Sequence, residues 1–134
     1  MEEADTAPAV WGDFDLDGDL DLFVGGHLDH LFEGSQSNPD YEFPEASRNV
    51  LYNNQGDGSF IALIMEDYEP EPYTLAAAWL FYGDGTRPDL YLVNDFGPLV
   101  IGNRLLVPKD EGYAPYEFDS SGIEIDMYGM GISI

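Results

Sequence analysis

The sequence predicts an all-β protein built from short antiparallel strands that are joined by tight turns. Three observations carry this prediction: β-branched and aromatic residues occur in short runs, turn segments rich in Gly and Asp separate the runs, and the pattern returns once along the chain. Only the run YTLAAAWLF competes as a helix, and it is short and poorly capped. Hydrophobic residues make up 44% of the 134 residues, which is enough for a packed core.

The runs that we expect to form strands are, in chain order, APAVW, LDLFVGG, NVLYNN, SFIALIM, TLAAAWLF, DLYLVND, NRLLV, YEF and the terminal MGISI. The segments DGD, GDGS, GDGT, DFGP and KDEG lie between them. Gly, Asp, Asn and Pro are the residues that tight turns favour, so neighbouring strands are expected to pair as hairpins.

An internal repeat sets the predicted architecture. Residues 9–24, AVWGDFDLDGDLDLFV, return as residues 77–93, AAWLFYGDGTRPDLYLV. Trp11 precedes Asp21 by the same interval as Trp79 precedes Asp89, and the two tryptophans are 68 residues apart. This period fits one four-stranded unit with a long outer loop. Because such units cannot bury both faces alone, they stack around an axis as the blades of a β-propeller.

The repeat divides the chain into three expected segments. Residues 1–70 form the first repeat, residues 71–126 form a second and degenerate repeat, and residues 127–134 open a further one. Two repeats leave outer faces open. The chain is therefore expected to be a fragment of a propeller, or a protomer of a homo-oligomer that closes one.

Charge and composition exclude several classes of partner. Asp and Glu number 27 against 4 Lys and Arg, which gives a net charge of −23. Nucleic acid and anionic membrane surfaces would need the opposite sign, and no apolar run approaches the roughly 20 residues of a membrane span. The absence of Cys excludes disulfides and thiolate metal sites. The acidity fits either bound cations or a salt-rich environment.

The stretch DFDLDGDLD carries the candidate metal site. It reads D-x-D-x-D-G-x-x-D, with carboxylates at Asp13, Asp15, Asp17 and Asp21 and a backbone carbonyl expected from Asp19. Calcium takes six to eight oxygen ligands, and alternating carboxylates in a tight loop converge on one point. Gly18 is expected to supply the sharp turn, with a positive φ. The pattern therefore predicts a Ca²⁺ site.

Other interpretations of this loop are weaker. An EF-hand needs a bidentate Glu at the twelfth position and flanking helices, but that position holds Val24 in a strand-like run. Magnesium demands stricter octahedral geometry, and zinc prefers His or Cys ligands. A purely solvated turn would not need several carboxylates that repel one another.

The second repeat lacks the same ligands. Phe81, Gly83 and Gly85 stand where the first repeat has its three alternating acids. If the alignment of the two repeats is shifted by one residue, only Asp84 and Asp89 are left as possible oxygen ligands. No tightly bound ion is therefore expected in the second repeat. Arg87 is expected to supply a cation near these acids instead.

Three further groups have a functional and a structural interpretation. The histidines His27 and His30 flank an acid and could bind a transition metal, but the favoured interpretation is that they are surface histidines. Asn53, Asn54 and Asp57 offer oxygen ligands, while a Gly-Asp-Gly hairpin turn is preferred. The aromatic residues at repeated strand positions are expected to pack between blades rather than to form a ligand platform; they are Trp11, Phe60, Trp79 and Tyr91.

The segments AVWGDFDLDGDLDLFVGG, NVLYNNQGDGSF, DLYLVNDFGP, NRLL and GMGISI together resemble the FG-GAP or VCBS-type repeat. This repeat builds integrin-α-like β-propellers and many secreted or cell-surface bacterial proteins. The resemblance implies that the D-x-D-x-D-G-x-x-D loop binds calcium between neighbouring strands of a blade. The second repeat departs from the family pattern, as does VPKDEG where N-x-G-D-G would stand.

The resulting expectation is a non-catalytic, calcium-binding propeller module of an extracellular or cell-surface protein. It would serve in adhesion or in binding a protein or glycan ligand. The sequence contains no G-x-S-x-G, H-E-x-x-H or phosphate-loop motif. Two alternatives stay open: a calcium-dependent hydrolase or lyase acting on polysaccharide, and a self-assembling propeller protomer with a structural role.

Overall fold

The computed structural model describes residues 6–27, 47–65, 73–82, 85–95, 101–109 and 112–116. Within these ranges the chain forms strands only, and they contain no helix that is long and apolar enough to cross a membrane. The strands are β1 (Thr6–Gly12), β2 (Asp21–Gly26), β3 (Val50–Asn54), β4 (Phe60–Ile64), β5 (Tyr73–Leu80), β6 (Asp89–Asp95), β7 (Arg104–Pro108) and β8 (Tyr113–Pro115).

These strands form two four-stranded antiparallel sheets. The first sheet has the order β1-β2-β3-β4 and the second has the order β5-β6-β7-β8, so each strand pairs with its neighbour in the chain. The prediction of an all-β fold is confirmed for the described residues. The run YTLAAAWLF, which competed as a helix, is strand β5 from Tyr73 to Leu80.

The last described strand lies just before the run in which the sequence predicted one. β8 spans Tyr113–Pro115, whereas the predicted strand YEF begins at Tyr116 and continues into residues 117 and 118, which lie outside the described residues. A tight turn explains the difference, because the Lys109 amide donates to the Gly112 carbonyl at 2.9 Å and Gly112 has a φ of 90°. The turn places Tyr113 opposite Pro108. The terminal run MGISI and the segment 127–134 lie outside the described residues.

The two sheets share one register. Trp11 pairs with Leu22 in the first sheet as Trp79 pairs with Leu90 in the second. Both first hairpins also contain an irregularity, after Thr6 in β1 and after Thr74 in β5. The repeat seen in the sequence is therefore a repeat of strand pairing as well.

A buried asparagine recurs at the same place in each sheet. The Asn49 side-chain oxygen accepts from the Gly26 amide at 2.8 Å, and the Asn103 oxygen accepts from the Asn94 amide at 2.9 Å. Each bond ties the end of a second strand to the residue that precedes the third. Because each amide lies in the interior, its bond also prevents an unsatisfied buried donor.

Each sheet has two faces, because side chains alternate along a strand and directly paired residues share a side. We call the side that carries the repeated Trp the tryptophan face and the other side the reverse face. In the first sheet the tryptophan face carries Trp11, Leu22, Val24, Val50 and Tyr52, and the reverse face carries Val10, Gly12, Phe23 and Leu51. In the second sheet the tryptophan face carries Ala77, Trp79, Leu90, Leu92 and Leu106, and the reverse face carries Ala78, Val93 and Leu105.

The core lies where the tryptophan face of the second sheet packs on the reverse face of the first. Its buried residues are Phe14, Phe23, Leu51, Leu90, Leu92, Ile101, Leu106 and Tyr113. Burying one such side chain contributes about 1.5–3 kcal/mol. Trp79 lies directly over Gly12, where an added Cβ would meet the indole ring. The glycine therefore admits the large ring between the sheets.

Gly12→Val should destabilise the protein by about 1–3 kcal/mol, because its side chain would displace Trp79 from the interface between the sheets. Urea unfolding followed by tryptophan fluorescence measures this change. Ala9→Val adds a similar volume at an exposed position of the same strand and should alter stability by no more than about 0.5 kcal/mol. Equal stability of the two variants would contradict the packing described here.

Candidate metal centre

The candidate site is the loop that joins β1 to β2. Gly12 pairs with Asp21, so the two ends of the loop are held side by side. Two residues inside it have left-handed backbones: Gly18 has a φ of 98° and Leu16 a φ of 64°. Gly18 thus makes the turn with the positive φ that the sequence predicted.

Asp21 fastens the loop to the sheet. Its side chain is 0% exposed, and both carboxylate oxygens accept backbone hydrogen bonds, from the Phe14 amide at 3.0 Å and from the Asn54 amide at 2.8 Å. Burial raises the pKa of the Asp21 carboxyl group, and the two amide bonds oppose this rise. The negative charges of Asp15 and Asp17 raise the same pKa further.

Three carboxylates meet at the base of the loop. Asp13, Asp15 and Asp21 each present an oxygen, and these oxygens lie within 4.8 Å of one another. The Asp13 Oδ2 atom accepts from the Gly18 amide at 3.1 Å. Its other oxygen, Oδ1, is buried and has no hydrogen-bond partner among the described residues. A buried carboxylate oxygen without a donor is costly, so this geometry favours a bound cation.

Two of the expected ligands lie outside this triad. The Asp17 carboxylate is exposed and accepts from the Asp19 amide at 2.9 Å. The Asp19 carboxylate lies near the β3–β4 turn, where a Cβ added at Gly56 would be 2.6 Å from its Oδ2 atom. The structure therefore brings together three of the predicted residues. The roles of the Asp17 carboxylate and the Asp19 carbonyl stay predictions.

Two asparagines that the sequence assigned to a hairpin turn support the loop. Asn53 donates through Nδ2 to Asp15 Oδ2 at 2.7 Å, and Asn54 donates through Nδ2 to the Leu20 carbonyl at 3.0 Å. The sign of this role that the sequence offered was the position of both asparagines at the end of the strand next to the loop. Asp57, by contrast, serves the turn, because its Oδ1 accepts from the Ser59 amide at 2.9 Å and from the Ser59 hydroxyl at 2.6 Å.

The equivalent loop of the second sheet has a counterpart of Asp21, which is Asp89, but it has no counterparts of the other two acids of the triad. Asp89 Oδ2 accepts from the Tyr82 amide at 2.7 Å, as Asp21 accepts from Phe14. The described part of the chain contains no second group of three acids that could hold a metal. Arg87 takes the place of Asp19 and donates to the Lys109 carbonyl. Asp84 and Gly83 lie outside the described residues, as does His30.

Phe14 connects the candidate site to the core. It lies between two of the triad acids, yet its ring is only 4% exposed and its centroid is 6.0 Å from that of Tyr113. The Tyr113 hydroxyl donates to the Pro88 carbonyl at 2.6 Å in the second loop. Burial raises the pKa of Tyr113, so its hydroxyl stays a donor throughout the ordinary pH range. The conformation of the first loop is thus coupled to the packing of the two sheets.

No family model, no curated protein and no solved structure matches this chain. The resemblance to FG-GAP or VCBS-type repeats therefore stays a prediction from the motifs quoted above.

Phe14→Ala should destabilise the protein by about 3–5 kcal/mol, because it removes a buried ring from the core. The matched control is Phe81→Ala, which removes an aromatic ring of the second loop that is 63% exposed and should cost no more than about 0.5 kcal/mol. Urea unfolding of both variants measures the difference. Similar losses in the two variants would contradict the coupling between the loop and the core.

Proposed function

We propose that this chain is a calcium-binding β-propeller module that works in extracellular adhesion or ligand binding and is not an enzyme. The observation that carries the proposal is the triad Asp13, Asp15 and Asp21, in which one carboxylate oxygen is buried without a partner among the described residues. The D-x-D-x-D-G-x-x-D spacing of the loop supports the same conclusion.

The chemistry of the ligands favours calcium over other metals. The triad offers carboxylate oxygens, which hard divalent cations prefer, and it includes neither His nor Cys. Calcium accepts six to eight oxygens in a flexible arrangement, so water, the Asp17 carboxylate and the Asp19 carbonyl are expected to complete its shell. Magnesium would hold its own waters and demand octahedral geometry, which gives a three-carboxylate loop less advantage.

Electrostatic repulsion explains why the ion would stabilise the fold. Two unit charges about 4 Å apart repel by about 4 kcal/mol at an effective dielectric constant of about 20. A net intramolecular hydrogen bond contributes only about 0.5–1.5 kcal/mol. The bonds that Gly18, Asn53 and Asn54 donate to the loop acids therefore offset only part of this repulsion. A divalent ion would offset the rest and hold the loop against β3.

The arrangement of the sheets supports the propeller part of the proposal. Both sheets are four-stranded meanders with the same register. They pack through unlike faces, the tryptophan face of one on the reverse face of the other, as successive blades do around an axis. Sheets that pack through unlike faces leave one face open at each end, so further sheets can be added in the same direction. Two sheets that packed through like faces would form a closed pair instead.

The extracellular part of the proposal follows from calcium concentration. Sites in extracellular modules bind calcium with dissociation constants of about 10⁻⁴–10⁻³ M, which suits the millimolar calcium outside cells. A net charge of −23 adds attraction for cations and repels nucleic acid and anionic membranes. A protein or a glycan is the ligand class that this module would bind.

Calcium at about 10 mM should stabilise the wild-type chain by about 1.4–2.7 kcal/mol if its dissociation constant lies in that range. Thermal unfolding followed by circular dichroism, with calcium or with a chelator, measures the effect. The double variant Asp13→Asn, Asp15→Asn should lose the response. The control variant Asp57→Asn changes an acid outside the triad, and the new Asn side chain can still accept the hydrogen bonds of the turn. This variant should keep the calcium response.

A wild-type melting midpoint that calcium does not move would sink the proposal. So would a calcium response that survives in the double variant, because the ion would then bind elsewhere. Magnesium in place of calcium tests the choice of metal, and an equal or larger stabilisation by magnesium would contradict it.

A further inference from the structure

Strand β4 is an exposed outer edge of the first sheet. It is the last strand in the order β1-β2-β3-β4, so no described strand pairs with its outer side. The side chains from Phe60 to Leu63 are all uncharged and exposed, and Ile61 reaches 53%. They alternate between the two faces of the sheet. Apolar side chains on both faces beside an open edge indicate an interaction surface.

The hydrogen-bond register shows which backbone groups of β4 face outward. In an antiparallel pair, directly opposed residues alternate between bonded and non-bonded pairs. The Gln55 amide donates to the Ser59 carbonyl at 3.0 Å, whereas the Asn54 amide turns away from β4 and donates to Asp21 at 2.8 Å. Continued along β4, this alternation directs three N–H and C=O pairs toward the open edge. They belong to Phe60, Ala62 and Ile64.

The other three edges of the two described sheets are protected in ways that β4 is not. The register of β1 is interrupted between Thr6 and Ala9, and that of β5 between Thr74 and Ala76. β8 has three residues and ends at Pro115, which has no N–H to donate. Irregularities, short length and proline keep an edge from pairing with another strand. β4 has a continuous register over its five residues and contains neither proline nor charge.

The charge of the chain determines what kind of strand can pair with this edge. The chain has 27 acids against 4 basic residues, and the acidic run EDYEPEP follows Met65 directly in the sequence. A second copy, or another segment of this chain, would bring further negative charge to the edge. A strand from another protein with basic residues beside its apolar centre would be attracted instead. Charge complementarity therefore favours a basic partner.

We propose that β4 binds an extended segment of a partner protein, apolar at its centre and flanked by Lys or Arg, which adds to the first sheet as a further strand. In this mode of recognition, main-chain hydrogen bonds supply affinity and alternate side chains supply specificity. Phe60 and Ala62 would contact the segment on one face of the sheet, and Ile61 and Leu63 on the other. The edge is separate from the acidic triad, so the inference does not depend on the proposed metal.

Fluorescence anisotropy of a labelled synthetic peptide, Lys-Lys-Val-Thr-Val-Thr-Val-Lys-Lys, tests the proposal with the whole chain at about 0.15 M salt. The Val and Thr residues favour an extended conformation, and the lysines at both ends allow pairing in either direction. The control peptide has the same sequence with N-methyl groups on its central amides. It keeps the charge and the side chains but cannot donate hydrogen bonds to an edge. We expect it to bind about tenfold more weakly.

A substitution in β4 tests the same hydrogen bonds from the other side. Ala62→Pro removes an outward N–H without removing a bond to β3, and it should raise the dissociation constant of the peptide about tenfold. Ala62→Thr keeps the N–H and should change that constant by no more than about twofold. An unchanged far-ultraviolet circular dichroism spectrum confirms that each variant is folded. Ile61→Lys leaves the backbone intact, repels the basic peptide and should also weaken binding about tenfold.

Hydrogen exchange of the backbone amides gives a second readout. The amides of Phe60, Ala62 and Ile64 should exchange more slowly in the complex with the peptide, whereas those of Ile61 and Leu63 already bond to β3 and should change little. Equal binding of the two peptides would overturn the inference, because binding would then be electrostatic alone. Absence of binding would also overturn it, as would full affinity in both the Ala62→Pro and the Ile61→Lys variants. Outward amides that are already protected in the free protein would overturn it too, because the edge would then be occupied by the chain itself or by a second copy.

Discussion

A buried carboxylate, Asp21, organises the first half of this protein. It accepts one backbone hydrogen bond from the loop at Phe14 and another from the end of β3 at Asn54. Its place at the start of β2 also brings it within reach of the other two acids of the triad. Asp89 makes the equivalent loop contact in the second sheet, to the Tyr82 amide. The anchor is therefore a property of the repeat, and the acids around it are specific to the first copy.

The two equivalent loops occupy similar positions but carry different charges. Each must lie against a neighbouring hairpin turn while carrying a buried acid. The second loop has an arginine, Arg87, that donates to a carbonyl of that turn. The first loop has Asp19 at this place and two further acids near Asp21, so it has an excess of negative charge where the second has a cation. Under our proposal, calcium supplies in the first sheet the positive charge that Arg87 supplies in the second.

Local patterns in the sequence predicted the strands well, because alternation and turn chemistry are read from neighbouring residues. The loop acids and the positive φ of Gly18 followed from the same kind of local signal. Tertiary contacts could not be predicted from such local signals. The bond from Asn53 to Asp15 joins residues 38 positions apart, and the burial of Phe14 depends on Tyr113 of the second sheet. The close packing of Trp79 on the first sheet requires the missing side chain of Gly12, a residue that looks like part of a turn in the sequence.

The central claim is that a calcium ion sits among the oxygens of Asp13, Asp15 and Asp21. A crystal structure grown in millimolar calcium, with anomalous scattering to identify the ion, tests it most directly. The account predicts calcium at about 2.3–2.6 Å from an oxygen of each of these three side chains. An ordered loop in which that position holds only water, or holds a basic side chain, would contradict it.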